Sequence, residues 1–243
     1  MEKTLLTITE NIRISENAWR MKLVSERKIP KSKPGQFINM KIAGTYLRRP
    51  FSIYSQNGDE LTILYKIVGS GTEIMSGMNE GEAIDTLLPL GNGYDLKKCI
   101  GNIALVAGGM GMPPIYNLAK SLAENGQKPT VMLGFASDDQ ILPLSDFVPL
   151  DIDPIVTTED GSAGLTGLVT DAMKENEYDY VCACGPEPML KAVWDITPDG
   201  QFSFEERMGC GFGACMGCSL KTKDGSKRVC ADGPVLMKEE ILW

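Results

Sequence analysis

Four of the seven cysteines crowd toward the C-terminus as Cys210-x4-Cys215-x2-Cys218-x11-Cys230, and no other feature restricts the chain as much. Gly209, Gly211, Gly213 and Gly217 lie among them, so this stretch is a loop that wraps something rather than an element that packs a core. Cys-x4-Cys-x2-Cys…Cys is the plant-type arrangement around a [2Fe–2S] cluster. Four thiolates around two irons leave excess negative charge, which backbone N–H groups must solvate. Glycine lets the backbone come close and take positive φ. A structural zinc site is the competing reading, although such sites usually pair two Cys-x2-Cys knuckles and only one is present. Disulfides are disfavoured, because the Met1-Glu2-Lys3-Thr4 start lacks the form of a signal peptide; the expected compartment is the cytoplasm. Cys99 and Cys182 read as small apolar packers. Cys184 ends a strand-like run just before Gly185-Pro186, where an open α/β sheet places its ligands, so it is a candidate cofactor contact.

The chain has no histidine. That removes Ser-His-Asp triads, Cys-His pairs, Cys/His zinc sites, His-ligated haem and Rieske clusters. With 24 basic and 32 acidic residues the net charge is -8, which suits neither nucleic acid nor an anionic membrane surface.

Residues 1–97 read as short antiparallel strands of a small barrel. Period-two alternation marks 18–24 and, after the Lys33-Pro34-Gly35 turn, 36–42. Phe51–Tyr54 and Leu61–Val68 flank Gln56-Asn57-Gly58-Asp59, a hairpin signal. A short helix is expected over 73–79 and a last strand up to Pro89. From 98 to 200 the pattern becomes α/β. Strands are expected at 103–107, 130–135, 154–158 and 179–183. Helices are expected from Pro113 to Glu124, and over 141–147, 166–175 and 187–194. This predicts a doubly wound parallel sheet covered on both faces. Residues 201–243 form the cysteine segment, with a hairpin at Asp224-Gly225.

Two stretches have the chemistry of cofactor cradles. Arg48-Arg49-Pro50-Phe51-Ser52 offers guanidinium for a pyrophosphate, a hydroxyl at Ser52 for a flavin ring nitrogen, and an aromatic ring at Phe51 beside an isoalloxazine. Gly69-Ser70-Gly71-Thr72 opens a helix, a natural phosphate site. Gly108-Gly109-Met110-Gly111 joins a buried strand to a helix opened by Pro113-Pro114, so Gly108, Gly109 and Gly111 are candidate nucleotide contacts. The Gly-x-Gly-x-x-Gly fingerprint is absent. Asp138 or Asp139, after the next strand, is the candidate acid that binds a ribose and repels a 2′-phosphate, favouring NAD over NADP.

In this order the segments resemble the ferredoxin-NADP reductase superfamily. With Phe204-Glu205-Glu206-Arg207-Met208 ahead of the cysteines, the whole chain resembles electron-transfer subunits of the two-subunit, NAD-linked dihydroorotate dehydrogenases (type 1B). The resemblance implies FAD held by Arg49, Pro50, Phe51, Ser52, Leu64, Tyr65, Lys66, Gly71 and Thr72, and a [2Fe–2S] cluster on Cys210, Cys215, Cys218 and Cys230. It also implies a partner catalytic subunit carrying FMN, in a heterotetramer of two plus two, with electrons passing from dihydroorotate through FMN, cluster and FAD to NAD⁺ in pyrimidine biosynthesis. No catalytic acid or base is expected, since the cofactors carry the chemistry. The alternatives are the matching subunit of a sulfide dehydrogenase or of an NADH-dependent ferredoxin-NADP oxidoreductase, a stand-alone reductase, and a non-catalytic zinc-binding domain.

Overall fold

Alternating apolar residues build the first sheet of the computed structural model, which describes residues 1–243. Its strands are β1 (Glu2–Arg13), β2 (Ala18–Val24), β3 (Phe37–Met40), β4 (Arg49–Ser52), β5 (Ser55–Asn57), β6 (Glu60–Lys66) and, after the helix α1 (Ser70–Ser76), β7 (Ala83–Leu90). All pairings are antiparallel, in the order β4-β3-β7-β1-β2-β6-β5. The sheet curls around Leu6, Ile8, Met21, Leu23, Ile38, Met40 and Ile63. Its two ends approach just past β4, where Tyr54 N–H donates to the Thr62 carbonyl at 2.9 Å. The hairpin turns at Gly58, with φ +59°, but the strand entering it is β5, not Phe51–Tyr54. Residues 49–52 pair with β3 instead, Ser52 opposite Phe37 and Arg49 opposite Met40. The chain breaks at Ile53 and Tyr54, both buried.

The second sheet contains β8 (Ile103–Gly108), β9 (Thr130–Phe135), β10 (Ile155–Thr158), β11 (Leu165–Thr166), β12 (Tyr180–Cys184) and β13 (Gly200–Ser203), all parallel. Helices α2 (Met112–Glu124), α3 (Val169–Met173) and α4 (Glu187–Ile196) connect them. Period two sorts each strand between two cores. Leu105, Val131, Leu133 and Cys182 pack with Leu118 and Leu122 of α2. Ala104, Val106, Met132 and Val181 pack on the other face with Met173 of α3 and Leu190 and Val193 of α4. The order β11-β10-β9-β8-β12-β13 reverses direction between β8 and β12, and ligands of open α/β sheets sit at such a switch point.

Past residue 203 the chain forms the hairpin β14 (Ser219–Thr222) and β15 (Gly225–Arg228), then returns as β16 (Val235–Met237) to pair antiparallel with β13. The second sheet therefore runs through residue 200 and ends on a strand from the cysteine segment. Of two expected helices, one is displaced and irregular and the other is shorter than its pattern. Pro143 and Pro149 deny a regular hydrogen-bond ladder, and Leu144–Leu150 is 3-10. Gly167, at φ +123°, delays α3. No helix is long and apolar enough to cross a membrane.

One aromatic cluster joins the sheets. The Tyr54 ring stacks on Tyr116 of α2 with centroids 4.2 Å apart, and Phe147 meets Tyr116 edge-on at 5.1 Å. The Tyr54 hydroxyl donates to Asp146 Oδ2 at 2.5 Å, and Asn117 Nδ2 donates to the Ile53 carbonyl at 3.0 Å. Burial, and then the Asp146 carboxylate, push the Tyr54 phenol far above its ordinary range, so it remains a donor. Tyr54→Phe keeps the stack but removes a hydrogen bond to a charged group, and is expected to cost about 1.5–3 kcal/mol in a denaturant titration. An unchanged midpoint would show that the hydroxyl contributes nothing to domain docking.

Candidate functional site

The first groove, about 280 Å³, lies between the curled sheet and the second sheet. Pro50, Phe51, Ser52, Leu64, Tyr65, Lys66, Thr72 and Cys184 line it, together with Phe204, Glu205 and Met208. Phe51 stands edge-on to Tyr65 at 6.0 Å, and Tyr65 donates its hydroxyl to Asn11 Oδ1 at 2.9 Å. The two adjacent arginines differ in their commitments. Arg48 is tied to Asp85 at 2.7 Å. Arg49 makes no ion pair; its Nη1 donates to the Leu47 carbonyl at 2.6 Å. A Cβ on Gly71 would come within 2.8 Å of Arg49 Nε, so Arg49 and Gly71 meet just outside the groove lining. Thr72, in the first turn of α1, donates to the Gly69 carbonyl and accepts from Val68 N–H, both at 2.9 Å.

The second groove, about 710 Å³, opens at the switch point. Gly108, Gly109 and Gly111 line it opposite Gly185 and Pro186. Gly111 lies so close to the end of β12 that any Cβ would overlap the Cys184 carbonyl. Neither Asp138 nor Asp139 lines this groove. Asp139 instead accepts from the Ser137 hydroxyl, and its backbone carbonyl accepts from Glu16 N–H at 3.3 Å. Glu205 lines the groove, and so does Glu159, just past β10. The signal was the one applied to Asp138, an acid following a strand, but the groove reaches across to the third parallel strand.

Lys66, Met110 and Glu205 line both grooves. Lys66 Nζ donates to Gln140 Oε1 at 3.1 Å. Glu205 is open to solvent along the grooves but has protein on its other sides, and that burial raises its carboxyl. Burial, with Glu205 adding to it, also pushes the Cys184 thiol well up. Cys99 and Cys182 lie in the core with sulfurs 3.7 Å apart.

The segment leaves the first groove at Met208 and enters the cysteine loop. The four thiols associate two and two. Cys210 N–H points at Cys215 Sγ at 3.5 Å and Cys215 N–H at Cys210 Sγ at 3.4 Å, while Cys230 N–H points at Cys218 Sγ at 3.5 Å. Burial raises the Cys210 thiol, but N–H groups of Cys215 and Phe212, the Cys215 thiol and the Ala214 N–H outweigh it and bring it down to about 6. Burial, then the neighbouring Cys218 thiol, push Cys230 up to about 12. Two thiol pairs in a cage of amides suit a two-iron core, with one pair for each iron. A Cβ on Gly209 would stand 3.2 Å from Cys215 Sγ, so the chain closes directly over the sulfurs. Arg228 holds the far side of the loop, donating to the Gly213 carbonyl at 2.6 Å and to Asp232.

A carboxyl raised in the folded state favours folding when protonated, and that contribution is lost as pH rises through the folded pKa. Melting of Glu205→Gln should therefore match wild type near pH 4 and exceed it increasingly toward about pH 8. A gap that stays constant across that range would contradict the raised carboxyl of Glu205.

A family model described as the iron–sulfur cluster binding domain of dihydroorotate dehydrogenase B matches residues 205–242. The chain is 40% identical to a Fusobacterium nucleatum protein named dihydroorotate dehydrogenase B (NAD(+)), electron transfer subunit, over 97% of this chain and 96% of that one. A Bacillus pumilus protein of the same name is 39% identical over 99% and 98% of the two chains. The structure of an NADH-dependent reduced ferredoxin-NADP oxidoreductase superposes with a TM-score of 0.88 at 29% identity, covering 98% of this chain and 90% of the other. Phthalate dioxygenase reductase shares the fold, with a TM-score of 0.71 at 17% identity over 91% and 87%. With such identity along nearly its full length, this chain belongs to the family of electron-transfer subunits of NAD⁺-linked dihydroorotate dehydrogenase B.

Proposed function

We propose that the chain accepts electrons from the FMN of a dihydroorotate dehydrogenase catalytic subunit and delivers them to NAD⁺, in the pyrimidine-forming route to UMP. The observation that carries this reading is the serial arrangement of three sites. The paired thiols follow directly on a segment lining the first groove, and that groove shares Lys66, Met110 and Glu205 with the second. FAD held in the first groove would supply both hydride exchange with a nicotinamide and single-electron exchange with a [2Fe–2S] cluster, so no histidine base is needed.

The chain's own residues bind and orient. Arg49, unpaired and beside Gly71, is placed for a pyrophosphate. Pro50, Phe51, Ser52, Leu64, Tyr65, Lys66 and Thr72 support the flavin edge, with Cys184 at the floor. Gly108, Gly109 and Gly111 admit the nicotinamide nucleotide. Glu159 supplies the ribose contact and repels a 2′-phosphate, which favours NAD⁺. Cys210, Cys215, Cys218 and Cys230 hold the cluster. Phe212 and Met216 on the same loop are 45% and 63% exposed, an apolar rim suited to a partner protein. We assign that partner as the FMN subunit, in a two-plus-two heterotetramer, in the reducing cytoplasm where free thiols persist.

Anaerobic co-expression with the FMN subunit tests the reading. The loaded complex should reduce NAD⁺ with dihydroorotate, and NADP⁺ at least about tenfold less efficiently, a difference of about 1.4 kcal/mol. A fully loaded complex inactive with dihydroorotate would favour the ferredoxin-linked reading, to which the 0.88 superposition points.

A further inference from the structure

β3 is the strand of the first sheet in which all four residues are buried. Ile38 and Met40 face the core of the curled sheet. Phe37 faces the other way, packing with Phe204, Cys230 and Leu236. Asn39 shares that outer face by alternation and is 1% exposed. An amide in such a place needs partners. Its Nδ2 donates to the carbonyl of Cys210 at 3.1 Å, while its Oδ1 has none. Turning the amide over would set Oδ1 against a carbonyl oxygen, so the donor must face Cys210. Gly211, at φ +77°, makes the approach possible, since a Cβ there would collide with Asn39 Nδ2. Asn39 also pairs with Pro50 of β4, and Pro50 lines the first groove. One side chain thus joins the cysteine loop to the strand beside the flavin groove.

We propose that Asn39 is a positioning residue for the one-electron step between the cluster and the flavin, and that it raises the reduction potential of the cluster. This rests on the function proposed above, in which the loop holds the cluster and the first groove holds FAD. A hydrogen bond into the Cys210 carbonyl fixes the Cys210–Gly211 peptide against β3. Holding that peptide in place keeps Cys210 Sγ within 3.4 Å of the Cys215 N–H that donates to it. Donors held on the sulfurs favour the reduced, more negative cluster. As a one-electron transfer, the step would make and break no bond.

The test is an anaerobic redox titration of the loaded chain, following the EPR signal of the reduced cluster. Asn39→Leu removes the donor at similar volume, and Asn39→Asp replaces it with an acceptor. The reduced-to-oxidised ratio at fixed potential should fall about tenfold in Asn39→Leu, equivalent to about 59 mV for one electron, and further in Asn39→Asp. FAD content should stay at the wild-type value. Asn92→Leu is the structural control. It cuts the Asn92 bonds to the Asp232 and Val235 backbone of the same segment without touching a ligand's peptide, and should lower stability at unchanged potential. Wild-type potentials in both Asn39 variants, or an equal shift in Asn92→Leu, would overturn the proposal. A wild-type chain lacking iron and sulfide would instead sink the proposed function.

Discussion

Solvating concentrated negative charge with backbone amides is the constraint on which the rest of this structure depends. The chain is already acidic at -8, and in the proposed function four thiolates around a metal core would add more charge in a partly buried loop. Nearby side-chain cation support is limited, with Arg228 committed to Gly213 and Asp232. The remaining donors are N–H groups, and bringing them in requires a backbone that bends at nearly every second residue. Gly211 and Gly213 take positive φ, and Gly209 and Gly217 leave room for Cys215 Sγ. The depressed Cys210 thiol is the electrostatic signature of that arrangement.

Such a loop has little apolar surface with which to hold itself in place, so the two sheets hold it. β16 carries its end into the second sheet beside β13. Asn39 and Asn92 reach it from the first sheet and the linker. Tyr54, Tyr116 and Asp146 lock the sheets together at the opposite side. Rigid docking of all three parts serves electron transfer, because donors and acceptors must keep their separation while the cofactors change charge.

Much of this was legible in residue order. Period-two alternation placed β2, the strand expected at 130–135 is β9, and Pro113-Pro114 marked the start of α2. The cysteine spacing set the thiols in one loop, because four ligands so close in sequence need only local turns to meet. What residue order did not show shares one cause. The hairpin strand, the acid beside the second groove and the return of β16 each depend on contacts between segments distant in sequence. β4 is claimed by β3, the second groove is lined by Glu159 from the third parallel strand, and β16 returns to β13 across more than one turn of loop. Asn39 looked like an ordinary strand residue, since its partner lies 171 residues away.

The central claim is that the terminal thiols grip a two-iron core in two pairs. Metal and acid-labile sulfide analysis of anaerobically purified chain, with Mössbauer spectra of iron-57 material, tests it most directly. The account predicts iron and sulfide in equal amounts, about two of each per chain, with both irons in tetrahedral sulfur environments. Stoichiometric zinc without sulfide would contradict it.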